Sequence, residues 1–434
     1  MGVAILLIAV FVEIALATFC TITKSNHVKE RSMLRIVLLA GFTLLTVVSI
    51  IDWSFRYYGL AFLWLLLAVI GVVNLIKKTE DQGAYNPVRI SLKALAMITL
   101  VFVLTLPAMI FPQNKPVVEA TGKYDVLTKT DTYLDTSRVE SYRDTGENRK
   151  LNVQFWYPDS LEEKYPLIVF SHGGLGVKLS NESLYNELAS HGYVVCSIDH
   201  TYQCFFTTDE GGQTTLIDWD YIQESLAEDP RSDIQQSFEY YQKWMKIRTD
   251  DMSFVIDYII AEAETNHVDR EYKGVDTTKI GVVGHSLGGS AALGIGRIRG
   301  DVKAVIALES PFMCDIKGID GGQFIFTEQP YPVPVLNIYS DSAWDILPQR
   351  PQYAANYATL TDTNAIAANV HINGVGHLGL TDFALTSPFL TDLLDGQKAT
   401  IKPENALERI NKICLGFLDN HLKGAGEFKS GGSD

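Results

Sequence analysis

Four long apolar stretches open the chain, and after them the period of the pattern changes. Residues 3–22, 34–51, 60–76 and 90–111 are each nearly uninterrupted runs of Leu, Ile, Val, Phe and Ala. At about 1.5 Å per residue a run of roughly twenty crosses the ~30 Å hydrocarbon core of a bilayer. The pattern predicts a transmembrane region of four helices over residues 1–112, then a polar linker at 113–122. From residue 123 to 434 the apolar runs shrink to strand length, at 151–157, 167–170, 193–198, 279–283, 304–308, 333–339 and 368–372, with helical stripes such as 247–260 and 406–422 among them. Strand-length runs alternating with helical patterns predict an α/β domain, a mostly parallel sheet with helices on both faces. Residues 201–246 interrupt the alternation with a polar, aromatic stretch holding Phe205, Phe206, Trp219, Tyr221, Tyr240, Tyr241 and Trp244. It is expected to be a cap insertion over the C-terminal edge of the sheet, shaping a cleft.

Charge separates the same two regions. The first 115 residues carry 10 Lys or Arg against 5 Asp or Glu, and the remainder 26 against 46. The acidic part argues against a nucleic-acid partner. No basic residue precedes the first run, which disfavours a cleaved signal peptide. Lys24, Lys29, Arg31 and Arg35 follow the first run, and Lys77, Lys78, Arg89 and Lys93 surround the loop after the third, whereas Arg56 stands alone after the second. The positive-inside rule then places both termini on the outer face and predicts an integral protein of the plasma membrane with the acidic domain extracellular. Glu13, inside the first run, is expected to face other helices rather than lipid. Of the cysteines Cys20, Cys196, Cys204, Cys314 and Cys414, only Cys196 and Cys204 are candidates for a disulfide, and a buried free thiol is the plainer expectation for Cys196.

The candidate chemistry lies at the ends of strand-like runs. Residues 280–283 lead into Gly284-His285-Ser286-Leu287-Gly288, a Gly-x-Ser-x-Gly sequence followed by a small-residue helix pattern. Such a strand, turn and helix lifts a serine hydroxyl off the edge of a sheet and aims the first helical N–H groups at a developing oxyanion. Ser286 is thus the candidate nucleophile, and the Leu287 N–H a candidate oxyanion donor. A second donor is expected from Gly174 in His172-Gly173-Gly174-Leu175-Gly176, which follows the run at 167–170. His377, on the Gly-rich loop after residues 368–372, is the expected base. His172 and His285 are expected to orient loops by hydrogen bonds. No His, Asp or Cys spacing suggests a metal site, and no catalytic metal or cofactor is expected.

Four blocks together, Phe170-Ser171-His172-Gly173, Ser197-Ile198-Asp199-His200, the pentapeptide with Gly289, and Gly376-His377, resemble the α/β-hydrolase superfamily. Within it they resemble the plasma-type platelet-activating-factor acetylhydrolases and related bacterial esterases. The resemblance covers about residues 165–385 and none of the membrane region, which those esterases lack. It implies a triad acid after the strand that follows the nucleophile helix, at Glu309, where that family usually has aspartate. The wider superfamily often takes the acid one strand later, and Asp341 and Asp345 compete there. The resemblance implies a serine hydrolase that cleaves carboxylic esters, of a small molecule or a lipid, through an acyl-enzyme, and the apolar spans add the expectation that it is membrane-anchored. Acyl transfer to a cell-envelope acceptor, or a catalytically dead receptor or scaffold on the same fold, are the alternatives.

Overall fold

The computed structural model describes residues 1–78, 85–143, 146–160, 163–265, 268–361 and 367–428. Two compact units make up the chain: Met1–Lys115 with Thr386–Leu390, and Pro116–Leu385 with Thr391–Asp434.

The first unit is a bundle of four helices, α1 (Gly2–Thr23), α2 (Val28–Val47), α3 (Phe55–Ile76) and α4 (Pro87–Ile110). The Asn86 side chain accepts from Arg89 N at 3.1 Å and Pro87 occupies the first turn of α4, where its missing N–H costs nothing. Helices α2 and α3 run antiparallel, with Ser32 beside Gly71 and the Phe42 ring 5.0 Å from that of Trp64. Gly2, at the start of α1, lies against Ala108 near the end of α4, where a Cβ on the glycine would come within 2.9 Å of the Ala108 carbonyl.

Three of the four helices, α1, α3 and α4, are long and apolar enough to cross a membrane, which corrects the expectation of four. The exception, α2, begins at Val28 and takes Lys29, Glu30, Arg31 and Arg35 into its first turns. Only its part beyond Arg35 is free of charge, about 18 Å of helix against a core of about 30 Å.

The second unit is built on an eight-stranded sheet: β1 (Val126–Val139), β2 (Asn148–Pro158), β3 (Tyr165–Ser171), β4 (Val194–Asp199), β5 (Val275–His285), β6 (Val302–Leu308), β7 (Val335–Ser340) and β8 (Ala367–Ile372). Its spatial order is β1-β2-β4-β3-β5-β6-β7-β8. The strands β1, β2 and β4 pair antiparallel, and from β4 to β8 the pairing is parallel.

Alternate residues of the central strands face opposite cores, as a sheet covered on both sides requires. Leu167 and Val169 join one apolar cluster with Val282 and Val305, whereas Ile168 and Phe170 join the other with Val283 and Ile306. The first face is covered by α7 (Ile234–Thr265) and α8 (Leu287–Ile298), and the second by α5 (Glu182–Ser190) and α9 (Pro403–Leu418). A short helix, α6 (Trp219–Ala227), precedes α7. From β3 the chain moves outward to β4 on one side and then crosses to β5 on the other, from which it runs outward to β8, so the crevice at the carboxyl ends of β3 and β5 is the favoured place for a site.

All seven expected strands are present, together with β1. Residues 201–246 form a hairpin of Phe206–Thr208 with Thr214–Leu216, then α6, and from Ile234 onward the first turns of the 32-residue α7. The last third of the expected insertion is therefore part of the core helix, with Tyr241, Trp244 and Met245 buried against the sheet. Cys196 and Cys204 form no disulfide with each other, and with Cys314 and Cys414 they are free thiols.

Candidate active site

Strand β5 ends at His285, and α8 begins at Leu287. Between them Ser286 takes φ 53° and ψ −125°, a conformation that costs a non-glycine residue about 1–3 kcal/mol and persists only where its surroundings enforce it. Ser286 N donates to Leu308 O at 2.8 Å, tying the turn to the end of β6, and Ser290 N donates back to Ser286 O at 3.1 Å. The flanking glycines are sterically required. A Cβ at Gly284 would lie 2.4 Å from Gly288 C, and one at Gly288 would lie 2.0 Å from the Ser171 carbonyl oxygen. The start of α8 is consequently pressed onto the end of β3. As the first residue of the helix, Leu287 has an N–H with no partner inside it.

His377 stands on the loop after β8, its ring centroid 4.5 Å from that of His285. His285 Nε2 donates to the His377 carbonyl at 3.1 Å, and His377 N donates to Ser342 Oγ at 3.1 Å. His377 Nδ1 lies 2.7 Å from Glu309 Oε1. An ionised carboxylate only accepts, so the neutral imidazole carries its proton on Nδ1 and leaves the Nε2 lone pair free. Among the described residues the Ser286 hydroxyl makes no hydrogen bond to that nitrogen, the loose geometry common in ligand-free sites.

Glu309 is buried at the end of β6 with φ 50°. Its Oε2 accepts from Ser340 N at 2.7 Å and from the Ser340 hydroxyl, and its carbonyl accepts from Tyr353 OH at 3.0 Å. Burial opposes ionisation of Glu309, but the charge of His377 and these hydrogen bonds outweigh it and hold its pKa below the ordinary value. Burial likewise opposes a charged His377, and the Glu309 carboxylate outweighs that, raising its pKa. The rival carboxylates are engaged or remote. Asp341 binds His371 Nε2 at 2.8 Å and Gly374 N at 2.8 Å, and Asp345 is exposed on a short 3-10 helix.

The loop after β3 packs directly on the serine turn. A Cβ at Gly173 would lie 3.4 Å from Ser286 Cβ, and the carbonyl of Gly174 accepts from Tyr221 OH at 2.9 Å. Behind this loop is a buried polar network that sequence reasoning missed. Arg248 Nη1 donates to His172 O at 2.5 Å, Arg248 Nη2 to Gly173 O at 3.4 Å, and Arg248 Nε to Gln203 Oε1 at 2.9 Å.

In the same network Ser171 Oγ lies 2.8 Å from His200 Nε2, and His200 Nδ1 lies 2.9 Å from Asp251 Oδ2. These are the residue types and contacts of a catalytic triad, but Ser171, His200 and Asp251 are sealed from solvent, so this relay holds the loop rather than meeting a substrate. Burial and the charge of Arg248 pull the His200 pKa down to about 4. Burial disfavours the charged Asp251, but Arg149 at 2.7 Å and the bond from His200 overcome it, so Asp251 stays ionised. The signals in the sequence were Ser171 and His200, each in a block at the end of a strand, while Asp251 and Arg248 carried none.

The two other histidines near the turn are neutral, as residues that orient loops should be. Burial holds His172 well below its usual range, and burial together with the charge of His377 brings His285 down to about 3. His172, Asp199 and Cys204 converge, with ligand atoms within 4.8 Å of one another. Asp199 already accepts from Lys178 N at 2.5 Å, Lys178 Nζ at 2.7 Å and Thr207 Oγ1 at 2.7 Å, so an ammonium group takes the place a cation would need.

Comparison with known proteins accords with this geometry. The platelet-activating factor acetylhydrolase of Canis lupus familiaris is 26% identical over 276 residues, 60% of this chain and 58% of that protein. That of Gallus gallus is 26% identical over 286 residues, 60% of this chain and 63% of that protein. The chain thus spans about three fifths of the length of these curated relatives. A solved ferulic acid esterase from Streptomyces cinnamoneus shares the fold, with a TM-score of 0.55 at 22% identity, over 73% of this chain and 96% of that one. Residues 145–434, which include the serine turn, the loop after β3, Glu309 and His377, match the family model for platelet-activating factor acetylhydrolase, isoform II, and the chain belongs to that α/β-hydrolase family.

Proposed function

We propose that the chain is a carboxylic ester hydrolase with Ser286 as nucleophile, His377 as base and Glu309 as the acid that orients it. The observation that carries this reading is the 2.7 Å contact of Glu309 with His377 Nδ1 beside a serine held at positive φ. Ser286 Oγ attacks the acyl carbon while His377 Nε2 takes its proton. The N–H groups of Leu287 and Gly174 stabilise the oxyanion, and the leaving alcohol departs with the proton from His377. Water, deprotonated by the same nitrogen, then releases the acid and restores the serine. The names of the curated relatives point to an acetyl ester of a lipid as the substrate class. Tyr221 of α6, which donates to the Gly174 carbonyl at 2.9 Å, supports α6 as a border of the substrate cleft.

The membrane anchor belongs to the same proposal. Three helices have the length and apolarity to span a bilayer by themselves, α2 carries the chain back along α3 within the bundle, and the basic residues at the α1–α2 and α3–α4 connections, gathered at one end, favour the cytoplasm. The hydrolase unit would then lie outside the cell. A fluorophosphonate probe should label the wild type and leave Ser286→Ala unlabelled, and p-nitrophenyl acetate should be turned over faster than long-chain esters. Equal labelling of the two proteins sinks the nucleophile assignment, and labelling without release of acid sinks the hydrolase reading.

A further inference from the structure

The helical unit contains a cavity of about 410 Å³ walled in part by Glu13, Arg31, Arg35, Asn74 and Lys93. Small-ligand sites occupy roughly 300–1,000 Å³, so the volume is that of a binding site. Its position in the bundle is specific. Arg31 and Arg35 come from the first turns of α2, Lys93 from the second turn of α4 and Asn74 from the last turn of α3, so the cavity opens at the end where α2 and α4 begin. At about 1.5 Å per residue Arg35 and Lys93 sit about 10 Å inside that end, a depth where headgroups meet hydrocarbon.

Three cations face one acid there. Among the described residues none of the three is paired with a carboxylate within 4.0 Å, for Glu30 turns to His27 at 3.5 Å and Asp52 to Arg56 at 3.7 Å. Glu13 acts on Arg31 and Arg35 only through the longer-range field. Like charges gathered at the edge of a low-dielectric region are unfavourable without an anion.

We propose that this cavity binds the phosphate-bearing headgroup of an anionic phospholipid. Planar guanidinium forks match phosphate oxygens bidentately, and Lys93 adds a third charge. Basic pockets between membrane helices on the cytoplasmic side are suited to such headgroups. The acyl chains leave along α4, where Leu100 lines the cavity and is exposed. The inference rests on the membrane-anchor reading above and on none of the catalytic assignments.

Calorimetry on the full-length protein in a neutral detergent, with water-soluble dihexanoyl lipids, tests it. Dihexanoyl phosphatidic acid should bind, and dihexanoyl phosphatidylcholine and inorganic phosphate should each bind much more weakly. Removing two basic contacts in Arg31→Gln/Arg35→Gln should weaken phosphatidic acid about thirtyfold, and Lys93→Gln, at an exposed position, about fivefold. Arg31→Lys/Arg35→Lys, which keeps both charges, should recover part of the loss, while hydrolysis of a soluble ester stays at the wild-type rate in every variant. Undiminished binding to the Gln variant overturns the site. Equally tight phosphatidylcholine binding makes the contact merely apolar, and equally tight inorganic phosphate makes it a free-anion site, and either result overturns the lipid assignment. Alkaline extraction of native membranes judges the anchor separately, since release of the protein would end that reading while the soluble lipid still reports on the cavity.

Discussion

Glu309 reaches His377 from a backbone at φ 50°, fastened through its own carbonyl to Tyr353 and through its side chain to Ser340. From that turned backbone the glutamate arm, one methylene longer than an aspartate, ends 2.7 Å from His377 Nδ1. Replacing Glu309 by Gln keeps the shape and removes the charge that stabilises the imidazolium, so kcat should fall by up to about 10⁴, whereas Asp341→Asn should cost little because Asp341 serves His371 and Gly374. The pH dependence has a definite sign. As the proposed base His377 must be neutral to act, and Glu309 holds its pKa above the ordinary value against the opposing effect of burial. Wild-type kcat/KM should therefore rise with pH through a midpoint above about 6.5, and in Glu309→Gln burial alone should bring that midpoint below it. A midpoint that does not move, or a larger loss in Asp341→Asn, transfers the acid to the later strand. Sequence alone left three carboxylates open because each follows an apolar strand, and only side-chain reach and prior engagement separate them.

Strands β2 to β8 were legible as apolar runs because a doubly covered sheet demands hydrophobic residues on both faces. Strand β1 carries Thr-Lys-Thr-Asp-Thr around Tyr133 and buries little besides that tyrosine and Asp135, so an edge strand of this kind leaves no apolar run to read. The first turns of α7 were hidden differently. Their inward stripe is Ser237, Tyr241, Trp244, Met245, Arg248, Asp251 and Met252, a helical period written partly in polar residues. Arg248 and Asp251 break the apolar pattern because they hold the loop after β3. Arg248→Met should thus release the carbonyls of His172 and Gly173 and misplace the Gly174 N–H. Loss of one oxyanion donor costs about 10²–10³ in kcat, so a fall of that order with little change in KM is expected, with partial recovery in Arg248→Lys. Folding must be checked by thermal melting, because the change leaves buried carbonyls unsatisfied. A folded Arg248→Met enzyme with normal kcat would reduce the network to a structural brace.

At the scale of the whole molecule the charge distribution makes the sidedness testable. The antiparallel bundle gathers Lys24, Lys29, Arg31 and Arg35 with Lys77, Lys78, Arg89 and Lys93 toward one end, and the other end has Arg56 and Lys115. Moving a basic residue through the bilayer centre costs about 2.5–3.5 kcal/mol on the insertion scale, so an orientation that carries the crowded end across is strongly disfavoured. This argument survives the loss of α2 as an independent span, because its basic first turns stay at the same end whether or not its shorter apolar part would insert alone. The chain leaves the bundle after Ile110, at the sparsely charged end, and on the proposed orientation the acidic α/β-hydrolase unit would lie outside the cell. Protease added to intact cells should remove that unit and leave a membrane-bound fragment of the first 115 or so residues. If the hydrolase is fully protected in intact cells and digested once they are opened, the orientation is reversed, and its ester substrates must be sought on the cytoplasmic side.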